Sequence, residues 1–293
     1  MNIRDCETVD ISRRDNLFIS FLYNTAVGRA LLRIFVSRPV SKAVGAMMKS
    51  RASRFFIRRF ARRNGIKMGD YDKANYPSFN SFFTRKIKEG RRPFSNVLSD
   101  LPAPCDGKLT AYRVTGGSVF YIKNSMYDLR DLLQDRALAE EFTDGVCLIF
   151  RLTPDDYHRY AFIDNGEIIS RKRIKGVLHT VRPIACKRYN IYARNTREYV
   201  VMQTKNFGKA VQMEVGALFV GRIKNLPAGD TFKRGGEKGM FEFGGSTIVM
   251  LFQKGTVEID EIIYENTSNG KETVVRMGYK IGEKSLRRRR WLR

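Results

Sequence analysis

Acidic side chains are in short supply: 30 Asp and Glu face 54 Lys and Arg, leaving a formal net charge of +24. A surplus of that size exceeds what solubility needs and predicts an anionic partner, either nucleic acid or an anionic membrane surface. Histidine is scarcer still. His158 and His179 are the only two, so imidazole chemistry near neutral pH rests on those rings. The four cysteines, Cys6, Cys105, Cys147 and Cys186, show no CxxC spacing, which argues against a zinc site or a disulfide framework and for reduced thiols in an intracellular protein. No metal is expected. Long apolar runs are missing too: nothing approaches the roughly 20 residues of a spanning helix. Charges between Met1 and Arg14 stand where a secretory signal has its apolar region. The expectation is a cytosolic protein, or a peripheral one on the cytoplasmic side of the cell membrane. Zinc-finger and RRM signatures and a paired aromatic platform are also lacking, so nucleic acid is not the expected partner. Neither an internal repeat nor a low-complexity linker interrupts the chain.

At 293 residues and 43 % hydrophobic, the chain can bury a substantial core. Between Ile11 and Lys67 there are 14 Lys and Arg and one acid, Asp15, interleaved with Leu17, Phe18, Phe21, Leu22, Leu31, Leu32, Ile34 and Phe35. Spacings of three and four predict basic amphipathic helices. A second such stretch carries Val44, Met47, Met48, Phe55, Phe56 and Phe60 with Arg51, Arg54, Arg58, Arg59, Arg62 and Arg63, and ends at Asn64 and Gly65. A solvated face is the ordinary reading of such helices. The missing acids and the large apolar residues favour an anionic membrane surface, where each Lys or Arg contributes roughly 1 kcal/mol. From about Leu101 the texture changes to β-branched and aromatic runs: Gly145–Leu152, Tyr199–Thr204, Ala210–Ile223 and Ser246–Phe252, with one helix expected near Leu129–Glu141. The predicted fold is α+β: N-terminal basic amphipathic helices (residues 1–75), a β-rich, mainly antiparallel catalytic domain (76–286) and a polybasic tail (287–293).

One short segment carries chemistry. Gly244, Gly245, Ser246 and Thr247 precede the β-like run Ile248–Phe252. Alone, Gly-Gly-Ser-Thr is an ordinary turn before a strand. Other segments precede it in order: Phe79-Asn80-Ser81-Phe82-Phe83-Thr84-Arg85, Pro104-Cys105-Asp106-Gly107, Asp156-Tyr157-His158-Arg159, and Glu214-Val215-Gly216-Ala217 with Val220 and Gly221. This ordered set resembles the pyruvoyl-dependent phosphatidylserine decarboxylases of prokaryotic type. Two glycines before a serine permit the backbone shapes that self-attack on the upstream carbonyl requires.

The resemblance implies autocatalytic cleavage of a zymogen between Gly245 and Ser246, giving large and small chains from one precursor and a pyruvoyl group from Ser246. It implies a Schiff base between that carbonyl and the amine of phosphatidylserine, with the pyruvoyl group as electron sink when CO2 leaves. The product would be phosphatidylethanolamine, placing the protein in phospholipid biosynthesis. Asp106 matches the relay aspartate that acts with a histidine and the serine. His158 matches the position associated with decarboxylation and its proton transfer. The relay histidine itself should stand at position 161, where this chain has Ala161. Three readings stay open: an engineered substitution that traps the precursor, a divergent member left as an uncleaved, inactive lipid-binding protein, or a substitute base. For the last, His179 is the candidate, in Gly176-Val177-Leu178-His179-Thr180-Val181-Arg182-Pro183. A homodimer is left open as the assembly.

Overall fold

The computed structural model describes residues 3, 6–10, 17–35, 37–72, 75–122, 125–180, 190–217, 222–227, 229–244 and 246–286. Cys186, Val220, Gly221, the tail 287–293 and Gly245 of the expected cleavage site lie outside the described residues.

The architecture is α+β, and among the described residues five α-helices lie between a first short strand, β1 (Thr8–Asp10), and the remaining strands. These helices are α1 (Leu17–Asn24), α2 (Ala26–Phe35), α3 (Arg38–Lys49), α4 (Phe56–Arg63) and α5 (Phe79–Phe83). The second basic stretch is not one helix: α3 stops at Ser50, and a 3-10 turn, Arg51–Phe55, leads into α4. The Ser53 hydroxyl explains the break, because it donates to Ser50 O and accepts from Phe79 N at 2.8 Å, tying the turn to α5. Asn64 and Gly65 end α4 as expected, Gly65 at φ 61°. On α4, Ile57, Phe60 and Ala61 pack against Phe79, Phe82 and Phe83, while Arg58, Arg59, Arg62 and Arg63 stay exposed.

Apart from β1, which precedes the helices, the strands follow: β2 (Asp100–Pro102), β3 (Gly107–Arg113), β4 (Val119–Ile122), β5 (Ser125–Asp128), β6 (Val146–Leu152), β7 (Arg159–Ala161), β8 (Gly166–Ile174) and β9 (Arg197–Thr204). After them come β10 (Gly208–Gly216), β11 (Ile223–Asn225), β12 (Thr231–Phe232), β13 (Glu237–Phe241), β14 (Ser246–Phe252), β15 (Val257–Ile259), β16 (Lys271–Val275) and β17 (Lys280–Lys284). Nine form one sheet in the order β1-β16-β3-β6-β14-β10-β9-β8-β12, with every neighbouring pair antiparallel. Smaller sheets, β11-β13-β7 and β15-β17-β2, cover part of it.

Alternation along β10 and β14 separates two apolar layers. Val211, Met213, Val215, Val249 and Leu251 join Leu22, Tyr23 and Leu32 of the N-terminal helices on one side. Ala210, Ile248, Met250 and Phe252 join Tyr160, Phe162 and Phe241 on the other.

Two expectations change in detail. The helix near Leu129–Glu141 is two short ones, α6 (Leu129–Leu133) and α7 (Arg136–Glu141). Gln134 takes a left-handed φ of 46°, and Asp135 restarts the helix by accepting from Leu138 N. The run Ala210–Ile223 ends as a strand at Gly216, whose N–H goes to Thr196 O and whose carbonyl accepts from Asn195 Nδ2. Cys105 and Cys147 are buried free thiols. Among the described residues no helix is long and apolar enough to cross a membrane.

Candidate active site

β14 opens on Ser246, and the turn ahead of it is held from the helical side. Phe243 N donates to Asn80 Oδ1 at 3.0 Å, and Glu242 pairs with Lys49 of α3 at 2.8 Å. Gly244 has φ 139°, a region L side chains rarely adopt. Ser246 is fully buried, and among the described residues its Oγ has no hydrogen-bond partner. A buried hydroxyl left unpaired is costly, and such exceptions call for a reason. In register Ser246 lies between Leu152 of β6 and Gly216 of β10. By alternation its side chain points with Ile248 and Met250 to the layer that contains β7 and β13.

His158 is also fully buried. Its Nδ1 lies 3.0 Å from Asp156 O. A carbonyl only accepts, so Nδ1 carries the proton and Nε2 keeps a lone pair, with no partner among the described residues. Arg85 Nη2 donates to the same carbonyl at 3.1 Å. Burial first, and the Arg85 charge second, lower the His158 pKa to about 3, so the ring is neutral near pH 7. Phe83 packs against the imidazole at 3.9 Å between centroids, tilted by 38°, and meets Phe243 at 5.4 Å. One ring of α5 therefore touches both His158 and the turn before Ser246.

Asp106 immediately precedes β3 and is held on both oxygens. Arg92 Nε donates to Oδ1 at 2.8 Å and Nη2 to Oδ2 at 2.6 Å, while Met277 N adds a third bond at 2.8 Å. Lys108 faces Arg151, and Arg151 faces Thr247. Asp106 thus lies at the same end of the sheet as Ser246, two strands away. Ala161 N donates to Pro104 O at 2.9 Å, and its carbonyl accepts from Gln212 Nε2 at 3.4 Å. The backbone of buried Ala161 is accordingly tied to Pro104 on one hand and to Gln212 of β10 on the other.

His179 is placed differently. Its backbone is clamped by Asn195, whose Nδ2 also donates to Gly216 O at 2.7 Å, so the chain there lies one residue from Ser246's strand partner. Its ring meets Tyr23, with the hydroxyl 3.3 Å from Nδ1, and Tyr23 belongs to the helical layer, opposite the face of Ser246. Burial and the Arg194 charge lower its pKa to about 4.

A profile described as phosphatidylserine decarboxylase matches residues 79–283. The chain belongs to the phosphatidylserine decarboxylase family. It is 50 % identical over 266 residues to phosphatidylserine decarboxylase proenzyme 2 of Clostridium acetobutylicum, covering 90 % of this chain and 91 % of the relative. The phosphatidylserine decarboxylase proenzyme of Ruminiclostridium cellulolyticum is 39 % identical over 270 residues, 90 % of each chain. That of Clostridium botulinum is 38 % identical over 273 residues, 91 % of this chain and 92 % of its own. The matched span contains Asp106, His158, Ala161, His179 and Ser246.

Several residues of the site carried no role at the level of sequence. Arg92, which holds Asp106, looks like any basic residue of a basic chain. Phe83 and Asn80 stood only as family markers, and their contacts with His158 and Phe243 are tertiary. A fully buried pair, Glu214 and Lys238, joins β10 to β13 at 2.6 Å. Its signal was an acid and a base inside strand-like runs, where both demand partners.

Proposed function

We propose that the chain removes CO2 from phosphatidylserine to give phosphatidylethanolamine, using a pyruvoyl group formed from Ser246 by cleavage of the peptide bond before it. The observation that carries this reading is the buried Ser246 Oγ at the head of β14, unpartnered among the described residues, with Gly244 at φ 139° two positions before it. The residues fit the group: a hydroxyl that makes no structural bond is available for conversion, and the word proenzyme in the relatives' names supports processing. A pyruvoyl group supplies an electron sink for the pair released as CO2 departs.

The chain's own residues supply the proton handling. His158 offers an unprotonated Nε2 in a dry setting. It takes the proton that the substrate ammonium gives up and returns one to the carbon left behind by CO2. Asp106, anchored by Arg92, holds the Pro104–Gly107 segment against Ala161.

Residues 1–75 serve as the membrane-associating region, 76–286 as the decarboxylase domain and 287–293 as a polybasic tail. Exposed Phe21, Leu31, Ile34, Met47, Phe55 and Phe56 share the helical region with exposed arginines, a surface suited to shallow seating on an anionic leaflet at the cytoplasmic side. Ala161 favours a second reading, an uncleaved lipid-binding member on the same scaffold. Incubation with phosphatidylserine vesicles separates the two: CO2 release with formation of phosphatidylethanolamine, abolished in Ser246→Ala, supports the enzyme. Vesicle binding without CO2 supports the second reading.

A further inference from the structure

With Ala161 at the relay position, some other group must take the proton of Ser246 Oγ. Glu214 and Ser246 occupy the same face of adjacent strands. Glu214 faces Ile248 and Gly216 faces Ser246 across the β10–β14 ladder, so Glu214 and Ser246 are diagonal neighbours. Diagonal same-face positions have Cβ atoms about 7–8 Å apart or somewhat less, within reach of a long side chain. Glu214 is fully buried; Oε2 is held by Lys238 Nζ at 2.6 Å and by Asn225 Nδ2 at 3.3 Å, whereas Oε1 has no partner among the described residues. Two orphaned oxygens, one acidic and one hydroxyl, therefore share a buried face beside Ala161. Gln212, whose Nε2 reaches Ala161 O, adds a third, its Oε1 being unpaired among the described residues.

We propose that Glu214, anchored by Lys238, is the proton acceptor that activates Ser246 for self-cleavage in this chain. The proposal rests on the self-cleavage reading above. As Oγ bonds to the carbonyl carbon of the residue before Ser246, its proton passes to Glu214, directly or through one water. The C–N bond then breaks, and the same proton moves from Glu214 to the departing nitrogen, leaving an ester on Oγ and a free amine on Ser246. Atoms and charge balance without an outside reagent.

Asp106 has both oxygens on Arg92, and the His179 ring lies on the helical face of the sheet. Glu214 faces Lys238 of β13, Glu198 of β9, Tyr160 of β7 and Cys105 ahead of β3, and Glu198 in turn pairs with Arg173 at 3.3 Å. Burial raises the Glu214 pKa against the lowering effect of Lys238, which makes it a stronger base than an exposed glutamate.

The test follows the 246–293 fragment by denaturing mass spectrometry after cell-free synthesis, from pH 5 to 9. The parent chain is expected to cleave, more slowly on the acid side. Glu214→Gln, and Glu214→Gln with Lys238→Met so that no buried charge is left unpaired, should cleave at least about 100-fold more slowly. Adding Ala161→His to the double variant should restore cleavage and move the acid limb to that of a histidine. Equal rates in the parent and the double variant overturn the proposal, as does loss of cleavage in His158→Asn alone. A parent chain that stays intact while Ala161→His cleaves overturns Glu214 and leaves Ser246 as the cleavage residue. If Ala161→His is intact as well, the self-cleavage reading itself falls.

Discussion

The ring of Phe83 lies against the imidazole of His158, with centroids 3.9 Å apart and planes at 38°. The same ring meets Phe243, three residues before Ser246. Phe83→Ala should cost about 3–5 kcal/mol of stability through the cavity it leaves, measured by urea unfolding. Phe83→Leu keeps most of the bulk, and is expected to fold while losing turnover at saturating phosphatidylserine, because the ring contact that orients His158 is gone.

Asp106 and Arg92 are each nearly buried. Arg92→Ala should therefore cost about 3–5 kcal/mol by leaving a buried carboxylate unpaired. Asp106→Asn with Arg92→Met removes both charges together and should cost clearly less than Arg92→Ala in the same denaturation experiment.

Acid should loosen the fold through the histidines. His158 has a pKa of about 3 in the folded chain against 6.5 for an ordinary histidine. The unfolded chain thus binds a proton that the folded chain refuses, and stability falls as pH drops from about 6.5 to about 3. His179 acts the same way down to about 4. His158→Asn should remove one proton's worth of slope from that window, read from unfolding free energies at a series of pH values.

Arg58, Arg59, Arg62 and Arg63 project from α4 while its apolar side packs on α5. Changing all four to Gln should weaken partition onto anionic vesicles by roughly 1 kcal/mol per residue, up to about 1,000-fold in total. Co-sedimentation with anionic and neutral vesicles checks this, and the melting temperature should barely move.

The sequence carried the helical and β halves because period and composition change near Leu101, and β6, β9 and β14 begin within two residues of the predicted starts. Breaks were less legible. Gln134 has no sequence signature for a left-handed turn, and the Ser53 clamp on Phe79 depends on a partner 26 residues away. The site residues could be named from their motif, but their surroundings could not. That Arg92 occupies Asp106, that Phe83 bridges His158 and Phe243, and that Glu214 shares a face with Ser246 all follow from sheet register and tertiary packing.

The most direct measurement is the mass of the purified chain under denaturing conditions. Two polypeptides, residues 1–245 and a fragment beginning at position 246 with a blocked, carbonyl-bearing N-terminus, are the predicted result. A single intact chain of 33.8 kDa, with Ser246 unchanged and no CO2 released from phosphatidylserine, would contradict the account.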